Sequence, residues 1–405
     1  MTLVNESDKS VSALYRGIEH DYSLQLNRWF LKPIGAWPDT SGTTIKEKIL
    51  SRFIQMICYA LIVVTIVPCI LFLYFEEGNF DLKMDSFGPM THWIMSGMYY
   101  TSLLCHSKDI RYCIEHIERD WCAVSRNVDR EEMFRYAKFG RSVAGFCAVF
   151  MHCGVFSYSA VNSLTPMIVA IGNETIAARR LPCPVYSKLL DTSHDPANGI
   201  VLLIQFMSGF IANSITVGAC SLAAVFAMHV CGQFAVLYTW LNELIDEKQT
   251  AESKLANIVE HHLRVLNFIS RFEKIMNQIC MVELVGSTMN LCLLGYNSIK
   301  EWNARNTKTL VTYVIVIISL SFNIFIFCYI GEIITEQCKK VGEMAYLTKW
   351  YRLPHKTALG IVLIISRSSV VTKITAGKLI QLSIKTFGDI IKTSAAYLNI
   401  LRAIM

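Results

Sequence analysis

The sequence predicts an all-α integral membrane protein, and three observations carry that prediction. Charged residues make up only 17% of the 405-residue chain while apolar residues reach 53%, and mean hydropathy is +0.38. A soluble protein needs roughly 25% charge to cover its surface. Uncharged runs recur along the chain, each long enough for the ~20 helical residues that a hydrocarbon core requires. Between them, loops rich and poor in Lys and Arg alternate. This composition argues against ordinary soluble enzymes, disordered chains and secreted disulfide scaffolds. A net charge of +6, scattered over separate loops, argues against nucleic acid as a partner.

The elements follow in order from the uncharged runs. They are Phe53–Phe75 (23 residues), Ser86–Ser107 (22), Ser142–Asn173 (32), Pro196–Asn242 (47) and Thr309–Gly331 (23). A further run, Ile275–Ile299, is interrupted only by Glu283, and the last, Ala376–Ile404, is apolar but carries several charges. The 47-residue run would reach about 70 Å as a helix, twice what one crossing takes. It has no proline after Pro196 and only isolated glycines, at 199, 209, 218 and 232. We therefore expect one long helix whose lower third, from about Ala227 to Leu241, leaves the bilayer. Seven spans result. The organisation is a cytoplasmic segment over 1–52, spans one to four over 53–226, and a cytoplasmic extension with its loop over 227–275. Spans five and six then occupy 276–331, a cytoplasmic helix 332–370 and the last span 371–405.

Basic residues set the orientation, because they concentrate on the cytoplasmic side. The stretch to Arg52 carries seven, 107–141 eight, 243–274 five and 332–373 seven, against one, three and three in 76–85, 174–195 and 300–308. The N-terminus is thus expected inside and the C-terminus outside. Of two glycosylation sequons, Asn173-Glu174-Thr175 falls in an outside loop, so Asn173 is the expected acceptor. Asn5-Glu6-Ser7 falls inside and should stay unmodified. Among fourteen cysteines only Cys183 lies in an expected outside loop, so no disulfide framework is implied.

Enzyme signatures are absent: there is no GxGxxG, Walker loop, HExxH, GxSxG or CxxC. We expect no catalytic activity, cofactor or metal. His152-Cys153 and His229-Val230-Cys231 place potential ligands near one another without the spacing of a four-ligand site, and are read as buried structural residues. His261-His262, in a charged cytoplasmic helix pattern, and the triplet Asp129-Arg130-Glu131 are read as solvated. Glu283 is different, because an acid within a span is expensive and marks a functional candidate. Pairing inside the bundle is the preferred reading over ion handling.

The final segment carries the most information. Lys378, Lys385 and Lys392 recur every seven residues, so on a helix they drift by only about −20° per repeat. Gln381, Asp389, Ala396, Asn399 and Ala403 fall on the same side. Ile380, Phe387, Ile391, Leu398 and Leu401 take the other. Each Lys near mid-bilayer costs roughly 2.5–3.5 kcal/mol, while each Leu, Ile or Phe returns only about 0.3–0.6 kcal/mol. The lysine stripe must therefore face water or protein. Either the helix lies on the membrane surface, or it lines a pore with lysines in a wet inner vestibule. Ile400 is the first bulky apolar residue outward of Lys392 near the stripe, and Ile404 follows one turn later. An apolar ring there could gate by dewetting.

Specific motifs complete the reading. The stretch Ala345-Tyr346-Leu347-Thr348-Lys349-Trp350-Tyr351-Arg352-Leu353-Pro354 resembles the cytoplasmic tail motif of insect odorant receptors. So do Ser366-Arg367-Ser368, Thr375-Ala376-Gly377-Lys378, Leu382-Ser383, Thr386-Phe387 and Lys392-Thr393-Ser394-Ala395-Ala396-Tyr397-Leu398, at matching separations. One departure is Val371, where the family usually has proline. The resemblance implies the insect odorant-receptor channel fold: a subunit of a tetrameric ligand-gated, non-selective cation channel in the plasma membrane of an olfactory neuron dendrite. The short 243–274 loop resembles that of a ligand-tuning subunit, whose partners would be the co-receptor, a small hydrophobic odorant and membrane lipid. By the family's pattern Lys378, Lys385, Lys392, Asn399, Ile400, Ala403 and Ile404 would line or gate the pore. About 227–275 and 332–370 would hold four subunits together.

The family's odorant pocket lies between spans two, three, four and six, in the outer half of the bundle. Gly154 and Tyr158 match its pattern of a small residue followed by an aromatic. With them we expect Met90, Trp93, Ile94, Met151, Phe206, Met207, Phe210, Ile211 and Tyr313, an apolar lining suited to volatile or lipid-like molecules. A gustatory receptor has similar topology, but its closing motif is not what Tyr397-Leu398-Asn399-Ile400-Leu401-Arg402 shows. A metabotropic seven-helix receptor requires an outside N-terminus, and a transporter requires inverted repeats, which are not seen.

Overall fold

A computed structural model describes residues 21–40, 42–76, 80–164, 166–171, 174–192, 196–244, 251–370 and 372–404. The chain is helical almost throughout. A helix over 21–31 (α1) precedes α2 (Ile45–Phe75), α3 (Phe80–Cys105), α4 (Ser107–Ala123) and α5 (Asn127–Leu164). The antiparallel pair β1 (Pro166–Ile171) and β2 (Glu174–Arg179) leads to α6 (Ala197–Glu243), α7 (Ala251–Asn303) and α8 (Thr307–Leu347). A short 3-10 turn, Trp350–Arg352, precedes α9 (His355–Ser369). The chain closes with a hairpin of β3 (Thr375–Ala376) and β4 (Ile380–Gln381), then α10 (Ile384–Ile404). Asn5 and Asn173 lie outside the described residues, as does Val371.

Among the described residues five helices, α2, α5, α6, α7 and α8, combine the length and hydropathy of a membrane span. The other two expected spans also form long helices but are less apolar. Ser, Thr, Gly and His dilute α3, and Lys385, Asp389 and Lys392 interrupt α10. Local signals start and hold these helices. At the head of α2 the Thr44 hydroxyl accepts from the Glu47 amide at 3.3 Å while the Glu47 carboxylate accepts the Thr44 amide at 2.9 Å. This reciprocal cap satisfies two donors that a helix start leaves free.

The long uncharged run forms the single helix expected of it. Alpha-6 is unbroken over 47 residues, and from Ala212 to Leu237 almost every side chain is buried, so it is the mast of the molecule. Small residues let neighbours close on it: a side chain at Gly218 would strike Leu31, and Gly140 of α5 lies against Met228. Helices α7 and α8 are equally continuous. Each joins one of the expected spans five and six to the segment expected to be its cytoplasmic extension, without a break.

The structure corrects several expectations drawn from charge. The 107–123 stretch, polar in composition, is an amphipathic helix that buries Ile110, Cys113, Ile114, Ile117 and Trp121. Asp109 fastens it to α7 through Lys274 at 2.8 Å and Arg271 at 3.3 Å. His261 and His262, expected in solvent, are each only 4% exposed. His261 Nε2 lies 3.1 Å from the Gln233 carbonyl, and its ring lies against Trp240. Asp129 is buried too, accepting the Trp240 indole N–H at 3.0 Å. His229 joins a polar knot between α4 and α6, which does not conflict with its reading as a buried structural residue. Its Nε2 lies 3.0 Å from Asp120 Oδ2, and His116 Nδ1 lies 3.1 Å from the same oxygen. Burial pushes the Asp120 carboxyl up, but the two imidazoles outweigh it and hold the acid below the usual carboxylate range.

The last segment is corrected most. The helix begins at Ile384, not near Ala376, so Lys378 is not on the stripe with Lys385 and Lys392. Gly377 and Lys378 form the hairpin turn with φ of +62° and +58°. The hairpin docks on α7: Gly377 N–H donates to the Asn277 carbonyl at 3.1 Å, and the Thr375 hydroxyl to Glu273 Oε1 at 2.6 Å. On its other side Leu382 sits where a side chain at Gly331 of α8 would be. The Thr-Ala-Gly-Lys motif is thus a clip between α7 and α8 that aims α10.

Candidate ligand-binding site

An apolar cavity of about 120 Å³ opens among α3, α5, α6, α7 and α8, comparable to the ~150 Å³ that holds a benzene-sized molecule. Five residues expected at a ligand site line it: Trp93, Met151, Gly154, Tyr158 and Tyr313. Gly154 admits Ser319 of α8, whose side chain lies 3.5 Å from where a Cβ would stand. Trp93 is held by its indole N–H, which donates to the Ser208 hydroxyl at 2.9 Å; that hydroxyl donates to the Leu61 carbonyl at 3.0 Å. The ring that walls the cavity is therefore positioned by α6 and α2 together.

Six expected residues do not line the cavity, for two reasons. Met90 packs with Cys69, Trp93, Cys183 and Ala212, and Ile94 packs against that cluster. On α6, Phe206, Met207 and Phe210 are 38%, 47% and 51% exposed; Phe206 and Phe210 line a separate groove with His152 and Phe156 of α5, while Ile211 packs against the main core. The face that does meet the cavity is Gln205, Gly209 and Asn213, one turn apart on the helix. Polar and small residues mark the inside of a membrane helix and bulky apolar ones its lipid side. That spacing is the signal the sequence holds for this cavity, and the bulky residues expected from α6 lie on other faces of the helix. His92, Asn290, Asn297 and Ser319 also line the cavity and were missed on the same ground.

The rim is polar and braced. Asp85 lines the cavity and pairs with Arg180 at 2.7 Å and Lys300 at 3.8 Å. Pro182 roofs it, and the following residue is clamped by Gln205. The Cys183 amide donates to Gln205 Oε1 at 3.1 Å, and Gln205 Nε2 donates back to the Cys183 carbonyl at 2.5 Å. Thr91 donates to Asn290 Oδ1 at 2.5 Å, and Asn290 Nδ2 faces Met95 sulfur at 3.6 Å. Further in, Glu283 is 1% exposed and accepts the Tyr99 hydroxyl at 2.5 Å and the Ser287 hydroxyl at 2.8 Å. Its acid is paired within the bundle, as preferred from the sequence.

The second expected site lies on α10. One face packs against α7 and α8: Phe387 meets Phe325, Leu398 covers Gly295, and Ser394 donates to the Thr288 carbonyl at 3.3 Å. The other face is open. Lys385, Asp389, Lys392, Asn399, Ile400 and Ala403 are all exposed along it. The Ile404 side chain lies outside the described residues.

Comparison with known proteins matches this architecture. The family described as 7tm Odorant receptor matches residues 79–395. Odorant receptor 10 of Aedes albopictus is 22% identical over 56% of this chain and 61% of its own length. Odorant receptor 13a of Drosophila melanogaster is 24% identical over 50% and 54%. The matched stretches thus span little more than half of these two relatives. Odorant receptor 82a of Drosophila melanogaster is 20% identical over 94% of this chain and 98% of that one. Among solved structures, the insect olfactory receptor OR5 from Machilis hrabei superposes with a TM-score of 0.78 at 14% identity, covering 94% of this chain and 99% of that one. The same receptor in complex with eugenol gives 0.77 over 95% and 100%. At this identity the likeness establishes the fold.

Proposed function

The chain belongs to the 7tm odorant receptor family, a multi-pass membrane protein and not an enzyme, and from that premise we propose that it is the odorant-tuning subunit of a ligand-gated cation channel. One observation carries the reading. An apolar cavity walled by Trp93, Met151, Gly154, Tyr158 and Tyr313 shares α7 and α8 with α10, the helix whose charged face is left open. A molecule entering the cavity can bias the packing of α7 and α8, and α10 is clipped to both. A ligand shifts such an equilibrium by as much as its affinity differs between the two arrangements.

In this reading the chain crosses seven times, N-terminus inside and C-terminus outside, with Asn173 glycosylated. Lys385, Lys392, Asn399, Ile400 and Ala403 line the pore, while Lys378 serves the hairpin. Four subunits, the co-receptor among them, join through the cytoplasmic ends of α6 to α9. There Leu263, Tyr346, Leu347, Tyr351, Val362 and Leu363 are exposed. The channel would sit in the plasma membrane of olfactory dendrites. The test is expression in oocytes with an insect co-receptor under an odorant panel with G-protein signalling blocked. A rapid odorant-evoked cation current, absent with co-receptor alone, is expected. A current that disappears when G proteins are blocked would replace the channel by a metabotropic receptor.

A further inference from the structure

The cavity is apolar in area but leaves two polar atoms without partners. Asn213 is 1% exposed and its Nδ2 makes no hydrogen bond; Nε2 of His92 is likewise buried and unpartnered. Both residues line the cavity, one from α6 and one from α3. Buried donors without partners are uncommon in folded proteins because their desolvation is not repaid. Three other polar groups around the cavity are already committed. The Trp93 indole is held by Ser208, Gln205 by the Cys183 backbone, and the Asn290 carbonyl oxygen by the Thr91 hydroxyl.

We propose that the ligand of this cavity carries a hydrogen-bond-accepting oxygen, such as the carbonyl of an aldehyde, ketone or ester, which accepts from the Asn213 amide or, in the tautomer that carries its proton there, from His92 Nε2. The chemistry follows from the donor set. An amide nitrogen donates and cannot accept, so Asn213 Nδ2 requires an acceptor; an imidazole nitrogen donates in one tautomer. Both groups are neutral amide or imidazole donors, suited to a neutral oxygen. The apolar remainder, with Trp93, Met151 and Leu320, takes a hydrocarbon body. A pure hydrocarbon would leave both atoms unpaired, and a site built to hydrogen-bond its ligand discriminates against an analogue lacking the group.

This inference rests on the cavity being the odorant site, so the experiment separates the two. The full chain is expressed with an insect co-receptor and challenged with straight-chain aldehydes, ketones and esters of about six to ten carbons, each beside the hydrocarbon of equal length. Oxygenated members should act at about tenfold lower concentration. Asn213→Leu and His92→Phe should each erode that advantage, whereas Asn213→Ser, which keeps a donor, should retain part of it and so separate lost bonding from lost packing. Surface labelling confirms that each variant reaches the membrane. Equal potency of hydrocarbon and oxygenated partner in the unsubstituted chain would overturn the proposal, as would an advantage that survives both Asn213→Leu and His92→Phe. Gly154→Trp, which fills the cavity, should abolish every response. Unchanged responses in that variant would mean the cavity is not the odorant site, and would overturn both readings together.

Discussion

Glu283 shows what a single ionisable group needs inside a bundle of this kind. Its carboxyl is fully enclosed and held by Tyr99 from α3 and Ser287 one turn along α7. Hydrogen bonds to such a group contribute roughly 1.5–3 kcal/mol, and stripping one leaves the buried oxygens short of a donor. Tyr99→Phe should therefore lower the melting temperature of the detergent-solubilised protein by several degrees. Pairing the change with Glu283→Leu should recover part of the loss, because an apolar pair has no group to leave unsatisfied. A double variant no more stable than Tyr99→Phe alone would show that the loss comes from something other than an unsatisfied Glu283 carboxyl. His262 makes a second residue-scale case, this time with pH. Burial first, then the charge of Arg367 and of His261, pushes its pKa down to about 4. The unfolded chain takes up its proton near 6.5. Stability is thus complete above about pH 6.5 and is lost progressively as pH falls toward 4, by up to about 3 kcal/mol for this group. Melting temperature measured from pH 7.5 to 5 should fall more steeply in the unsubstituted chain than in His262→Phe. Parallel slopes would show that His262 is not the group responsible.

At the scale of elements, the hairpin before α10 decides where that helix points. Gly377 lies in the left-handed region at φ +62° and a side chain there would press on Met281. An L-residue in that conformation costs roughly 1–2 kcal/mol. Gly377→Ala, or Asn277→Ala, which removes the side-chain amide that donates to the Thr375 hydroxyl at 3.1 Å, should loosen the clip without unfolding the bundle. Odorant-evoked current should then fall while surface expression stays near normal; full current in both variants would mean the hairpin does not transmit. The hairpin also shows the limit of periodicity. Three lysines at intervals of seven read as one helical stripe, and two of them do share a helix, but turn geometry at Gly377-Lys378 places the third outside it. Long apolar runs were legible because each needs only its own length to declare a span, and α6 kept its full extent. Alpha-4, Asp129 and the His261-His262 pair were not, because their charges and rings are buried by partners from helices far along the chain. Trp93, Met151, Gly154, Tyr158 and Tyr313 reach the cavity, but the residues expected from α6 do not. Polar and small residues at 205, 209 and 213 carry the information on which face does, and bulky neighbours at 206, 207 and 210 obscure it.

For the whole molecule the open face of α10 is the unresolved account. A lone subunit would present Lys385, Asp389 and Lys392 to lipid, at a cost of roughly 2.5–3.5 kcal/mol for each charge near mid-bilayer. The same helix offers too few large apolar residues to offset that. In the proposed channel, assembly around a shared aqueous axis would remove the conflict, since every copy would turn its charged face to water and its Phe387, Ile390 and Leu398 face to its own α7 and α8. Outward along that axis the lysines give way to Asn399, Ile400 and Ala403, and Ile400 is 55% exposed on one chain, free to meet its counterparts. A ring of such side chains holds a narrow pore dry, and a dry constriction blocks ions without any charged gate. Replacing Ile400 by Ala or Ser should weaken that barrier in each subunit that carries it. With co-receptor subunits unchanged, the expected result is a partial leak: standing cation current in the absence of odorant, raised severalfold over the unsubstituted complex, with a smaller fractional response on stimulation. Lys392→Glu, about two turns further in, should instead raise cation conductance per opening and leave the resting current low, because it alters the vestibule's field and not the dry ring. Voltage clamp without and with odorant distinguishes the two effects. If neither residue changes leak, conductance or selectivity, then α10 does not line the conduction path, and its open face must be covered by protein.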